Sequence, residues 1–163
     1  DLDWQALGEE SFEIQPPKCD PDKTMIVFDW DDTLLCSTYL SSRGFTIEPD
    51  SKEVPSILRE GLDELAAAII TILQLALDTC EDVVIITNAS QGWVHSSAQK
   101  FVPDVLWMLD HPRISVLSAR STFESVYPGS GRAWKLAAFR QEIARVFDND
   151  IDSTHQVVSF GDS

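Results

Sequence analysis

The stretch Val27-Phe28-Asp29-Trp30-Asp31-Asp32-Thr33-Leu34-Leu35 sets two carboxylates, Asp29 and Asp31, two positions apart at the end of an apolar, β-rich run. Residues at i and i+2 of an extended chain project to the same side. Two carboxylates that close do not both ionise cheaply, and one tends to keep its proton near neutral pH. An ionised and a protonated carboxylate together supply a nucleophile and a general acid, the division of labour that phosphate-ester cleavage requires. A plain acidic turn after a strand gives the same pattern without chemistry, so the pair needs support from elsewhere in the chain.

Three later signals add to it. Thr87-Asn88 follows the apolar run Val83-Val-Ile-Ile86 and offers a hydroxyl and an amide to phosphate oxygens, although a helix N-cap after a strand reads the same way. Lys135 stands after the turn-rich Pro128-Gly-Ser-Gly131, where a cation can neutralise a carboxylate nucleophile and a transferring phosphoryl group. Its ordinary reading is a surface lysine. Phe160-Gly161-Asp162-Ser163 ends another β-rich run with a carboxylate, a suitable oxygen ligand for Mg²⁺ or simply a turn.

The elements that must position these residues follow from hydrophobic period. Buried strands are predicted over 24–28 and 83–87, with further strands over 114–117 and 156–160, each short and β-branched or aromatic. Leu58, Leu62, Leu65, Ala66, Ile69, Leu73, Ala76 and Leu77 follow helical spacing from Pro55 to about Leu77. Further helices are predicted over 91–101, in a short piece after Pro103, and over 133–147. Residues 34–54 lack a clear period and read as a loop or small flap. The first 23 residues, acidic and carrying Pro16, Pro17 and Pro21, read as an extended arm before a core spanning 24–163. Strands alternating with helices predict an α/β fold, a Rossmann-like three-layer sandwich with a mostly parallel central sheet. In such sheets ligands bind at the carboxyl ends of the strands, where every residue singled out above is placed.

Composition narrows the partners. The chain has 163 residues, enough for one ordinary core, and 27 Asp and Glu against 12 Lys and Arg give a net charge of -15. That excess opposes nucleic acid, whose binding needs clustered Lys and Arg, and anionic membrane faces. Cys19, Cys36 and Cys80 form no close-spaced pair, so a reducing, cytoplasmic setting is expected rather than a disulfide framework. The chain begins at Asp1 rather than Met, which leaves room for a removed leader. The longest apolar run, 65–77, is interrupted by Thr71 and Gln74 and falls short of the ~20 residues of a membrane span.

Competing motifs fail on spacing. After Cys36 the arginine comes one place late, at Arg43, for a cysteine phosphatase. Asp148, Asp150 and Asp152 open like a calcium loop, but Ser153 and Ser159 stand where Gly and Glu belong. Gly129 to Lys135 does not close as a P-loop. Asn88-Ala-Ser90 fits a glycosylation sequon but falls where the site is expected. His95, His111 and His155 show no metal-ligand spacing.

Asp-x-Asp-x-Thr after the first strand, Thr after the second, Lys before the fourth and Gly-Asp after it together resemble the four motifs of the haloacid dehalogenase (HAD) superfamily, from about Thr24 to Ser163. The resemblance implies a phosphatase. Asp29 matches the nucleophile, and Asp31 the acid/base residue that separates phosphatases from family dehalogenases and ion-pumping ATPases. Thr87 and Lys135 match the phosphate-binding positions, with Asn88 adding a donor. Mg²⁺ is implied on the Asp29 carboxylate, the Asp31 backbone carbonyl and Asp162. A phosphotransferase or mutase, or a non-catalytic scaffold of the same fold, are the alternatives; intact Asp29, Asp31, Thr87, Lys135 and Asp162 speak against the scaffold.

Two features depart from the family. A second acidic residue usually follows the Gly-Asp, and a fifth strand follows the fourth. The sequence stops at Ser163, so both are expected beyond it. No large cap domain fits either customary insertion point, so the site is expected to be open under the flap around 36–53. The expected substrate is a phosphate ester, on a protein or on a small molecule.

Overall fold

The computed structural model describes residues 20–147 and 154–161. The expected arm therefore lies, up to Cys19, outside the described residues, and so does Asp162. A 3₁₀ turn at Pro21–Lys23 leads into the first strand.

Four strands form one sheet: β1 (Thr24–Asp29), β2 (Asp82–Thr87), β3 (Ile114–Ser118) and β4 (Gln156–Phe160). All pairings are parallel, in the order β3-β2-β1-β4. The helices are α1 (Ser37–Ser42), α2 (Ser56–Thr79), α3 (Trp93–Phe101), α4 (Leu106–Leu109), α5 (Ala119–Phe123) and α6 (Gly131–Val146). The α/β sandwich and the four predicted strands are therefore present.

Sequence explains the layering. β1 is buried along its whole length, as a strand covered on both faces must be. Ile26, Phe28, Val83 and Ile85 point into a core built with α2 and α3, among them Leu62, Ile69, Leu73 and Phe101. Met25, Val27, Val84 and Ile86 point the other way, against Trp134 and Ala138 of α6 and Ala119 of α5. Leu73 is fully buried on the inner stripe of α2. Truncating it to Ala leaves a cavity and costs about 2–5 kcal/mol.

Two arginines close helix ends that the sheet would otherwise leave open. Arg113 donates to the carbonyls of Leu77, in the last turn of α2, and of Cys80 and Glu81 just after it. Arg59 donates to those of Lys100 and Phe101 at the end of α3. At the edge of the described sheet, β4 is exposed along its length and is tied to β1 by the Phe28–Phe160 ring stack, with centroids 5.1 Å apart.

Two short helices differ from expectation. The stretch read as a loop holds α1, and α5 follows β3 directly. Each has a side-chain acceptor at its first turn and is too short to show a hydrophobic stripe. Asp32 accepts from the Thr38 amide (2.9 Å) and hydroxyl (2.5 Å), and the Ser118 hydroxyl accepts from the Ser121 amide at 3.0 Å. α3 begins at Trp93 rather than Gln91 because Gly92 adopts φ 83°, a left-handed turn that halts helical propagation backwards.

The order β3-β2-β1-β4 puts the later strands on both sides of β1. The carboxyl end of β1 is thus a topological switch point, the crevice where open α/β sheets bind ligands.

Candidate active site

β1 delivers Asp29 at that crevice, 8% exposed. Alternation along the strand sends Asp29 to the same face as Met25 and Val27, which is the α6 face. There Lys135, in the second turn of α6, donates from Nζ to Asp29 Oδ2 at 2.6 Å. Asp29 Oδ1 accepts from the Trp30 amide at 2.9 Å. A carboxylate so little exposed is tolerable only with such partners. The Lys135 ammonium sets a compensating charge directly against the Asp29 carboxylate.

The chain turns immediately afterwards. The Leu34 and Leu35 amides both donate to the Trp30 carbonyl, and Asp32 sits at φ 54°. The Asp31 carboxylate takes its partners from the other side of the sheet. Thr87, at the end of β2, donates its hydroxyl to Asp31 Oδ2 at 2.8 Å, and the Trp93 indole N–H donates to Oδ1 at 2.8 Å. Thr87 follows Val83 and Ile85 on the α3 face of β2, and Trp93 opens α3. The two carboxylates expected to project together are therefore gripped from opposite layers of the sandwich.

Thr87 does something other than await a phosphate. It is 1% exposed, its proton goes to Asp31, and its oxygen accepts from the Ala89 amide at 2.9 Å. Its first role in this arrangement is to hold Asp31. Asn88 is exposed and close to the start of α6, its Nδ2 3.5 Å from where a Cβ on Gly131 would stand. The structure thus brings together Asp29, Asp31, Thr87 and Lys135, with Asn88 beside the helix that carries Lys135.

Asp32, next in sequence, has a different task. Its carboxyl is held below its ordinary value by the Thr38 hydroxyl and amide, and it anchors α1. Cys36, at the head of α1, is a poor rival nucleophile, because burial pushes its thiol up and nearby Asp32 adds to the effect. The Thr33 hydroxyl is shielded from solvent and has no hydrogen-bond partner among the described residues.

Behind Asp29 a narrow cleft of about 50 Å³ runs between β1, β4 and α6, lined by Lys135, Phe139, Ser159 and Gly161. The crevice at the strand ends is the approach that an open α/β sheet offers to a substrate. The intervals 34–55 and 119–130 hold only α1, α5 and connecting chain, with no inserted domain over the site.

The donors described suit a hard cation. The Asp31 carboxylate is engaged by Thr87 and Trp93, which leaves its backbone carbonyl as a ligand to offer beside the Asp29 carboxylate. Few protein oxygens completed by water are what Mg²⁺ accepts. Asp162, the third expected ligand, lies outside the described residues, and no group of three His, Cys, Asp or Glu suited to a metal occurs among the described ones.

Trp93 is the partner that sequence reasoning missed. An indole opening a helix reads as a core residue, and nothing in its spacing points back to Asp31, 62 residues earlier. No helix among the described residues is long and apolar enough to cross a membrane. Comparison of the chain with protein-family models, with curated proteins and with solved structures gave no match.

Proposed function

We propose that this protein is a phosphomonoester hydrolase of the HAD type, working through an aspartyl-phosphate on Asp29. The observation that carries the proposal is the Asp29–Lys135 ion pair at the carboxyl end of β1, with Asp31 two residues on and held by separate donors.

In the first step a carboxylate oxygen of Asp29 attacks phosphorus and the bond from phosphorus to the leaving oxygen breaks. Asp31 gives its proton to that oxygen, which departs as an alcohol. In the second step Asp31, now a carboxylate, takes a proton from water as the water oxygen attacks phosphorus. The bond to Asp29 breaks, inorganic phosphate leaves, and both aspartates return to their starting states. Lys135 stays beside Asp29 throughout and offsets the charge of the phosphoryl oxygens. Mg²⁺, when bound by the Asp29 carboxylate, the Asp31 carbonyl and Asp162, supplies further neutralisation of phosphoryl charge.

The test is chemical. Wild-type protein quenched during turnover should carry a phosphoryl group on Asp29, and Asp29→Asn should be inactive because an amide is a far poorer nucleophile. Wild-type turnover in Asp29→Asn, or no adduct on Asp29 under any quench, would exclude the mechanism.

A further inference from the structure

We infer that Trp93 is a positioning residue for the acid/base carboxylate, and that its indole N–H sets how well the enzyme cleaves esters with poor leaving groups. The inference rests on the aspartyl-phosphate reading and deepens it.

Its basis is a closed ring of contacts. The Trp30 side chain, fully buried between the two aspartates in sequence, donates from Nε1 to the Ser97 hydroxyl at 3.0 Å. Ser97, itself fully buried, donates to the Trp93 carbonyl at 2.7 Å. The Trp93 indole donates to Asp31 Oδ1, and Asp31 is bonded to Trp30 through the chain. Trp93 and Ser97 are one helical turn apart, so a single face of α3 holds both the backbone before Asp31 and the carboxylate itself. Half-buried Trp93 packs on the main core, which fixes the plane of its ring.

The ring has a directional consequence. Asp31 has two oxygens and two donors, Thr87 on one and Trp93 on the other. With both present the carboxyl has one orientation. With Trp93 silenced, it can rotate about the remaining Thr87 contact, and the acid loses its aim at the leaving oxygen. Neither the Lys135 nor the Trp30 amide contact of Asp29 passes through the Trp93 indole. Loss of the indole N–H should therefore weaken proton transfer and leave nucleophilic attack intact.

Two variants separate these effects. Trp93→Phe removes the donor, and replacement by β-(3-benzothienyl)alanine removes only the N–H while keeping the ring's shape. Each should lower kcat/KM for alkyl phosphates about tenfold, a fraction of the ~10²–10⁴ that general acid catalysis contributes, with aryl phosphates of good leaving groups changing less than about twofold. The slope of log kcat/KM against leaving-group pKa should steepen, and the Asp29 adduct should accumulate because Asp31 also serves as the base. The benzothienyl protein keeps the packing, so it decides the matter if Trp93→Phe folds poorly. An unchanged slope, or an equal loss for alkyl and aryl esters, overturns the positioning role while the aspartyl-phosphate reading stands. Absence of any wild-type turnover overturns both.

Discussion

Asp29 and Lys135 are 106 residues apart in the chain and 2.6 Å apart in space. Their side chains are 9% and 19% exposed. They pair as opposite charges, and removing the ammonium takes a charge-bearing donor from a carboxylate that is little hydrated. Lys135→Met should cost roughly 1–3 kcal/mol of stability, the penalty of an unsatisfied buried polar group. It should also lower kcat by about 10²–10³, the scale of a lost charge-stabilising donor. Urea midpoints and steady-state rates measure the two separately. A stable, fully active Lys135→Met would remove the ion pair from both accounts.

Asp32 gives a second prediction. Its φ of 54° costs an ordinary L-residue about 1–2 kcal/mol, whereas Asn tolerates that conformation and still offers an acceptor to Thr38. Asp32→Asn should thus be mild and Asp32→Ala should loosen α1. Amide exchange at Thr38 reports it directly. The pH dependence has a definite sign. The folded carboxyl lies below its ordinary value of 3.8, so the anchor is present above that value and is lost as pH falls through the folded one. Exchange at Thr38 that accelerated already between pH 7 and 5 would contradict this.

How much of this was legible in the sequence depended on what carried the signal. The long α2 is periodic over many residues and the strands are short β-rich runs, and their predicted bounds fall within a residue or two of those observed. α1 and α5 have five or six residues each and no stripe to detect; the side-chain acceptors at their first turns, Asp32 and Ser118, show their role only once the chain has turned. Asp29 and Asp31 were legible because they are neighbours in sequence. Trp93 was not, since its contact exists only after α3 has packed beside β1. Thr87 was read for its hydroxyl but not for its direction, because burial of the end of β2 turns that hydroxyl inward to Asp31.

The metal gives a third prediction. With Mg²⁺ the protein should hydrolyse phosphate esters, and excess chelator should abolish this reversibly. Ca²⁺ should inhibit, because its larger and less regular shell accepts both oxygens of a carboxylate such as Asp29. Full activity in excess chelator would be incompatible with the proposal.

A fourth concerns substrate size. With only α1 and irregular chain between β1 and α2, and only α5 between β3 and α6, little roofs the crevice. Phosphopeptides should therefore reach the site at least as well as sugar phosphates and nucleotides, by kcat/KM. A strong preference for one small metabolite would show that something closes over the site during turnover.

The central position of β1 also bears on how activity arises in time. The groups gripping Asp29 and Asp31 come from β2, α3 and α6, at sequence separations of 56, 62 and 106. Parallel pairing offers no hairpin to bring them together early, and non-local contacts of this kind form late and slowly. On refolding from denaturant, helical signal should return first, carried by α2, whose contacts are local. Catalytic competence should lag behind it, appearing only when α6 docks and Lys135 closes on Asp29.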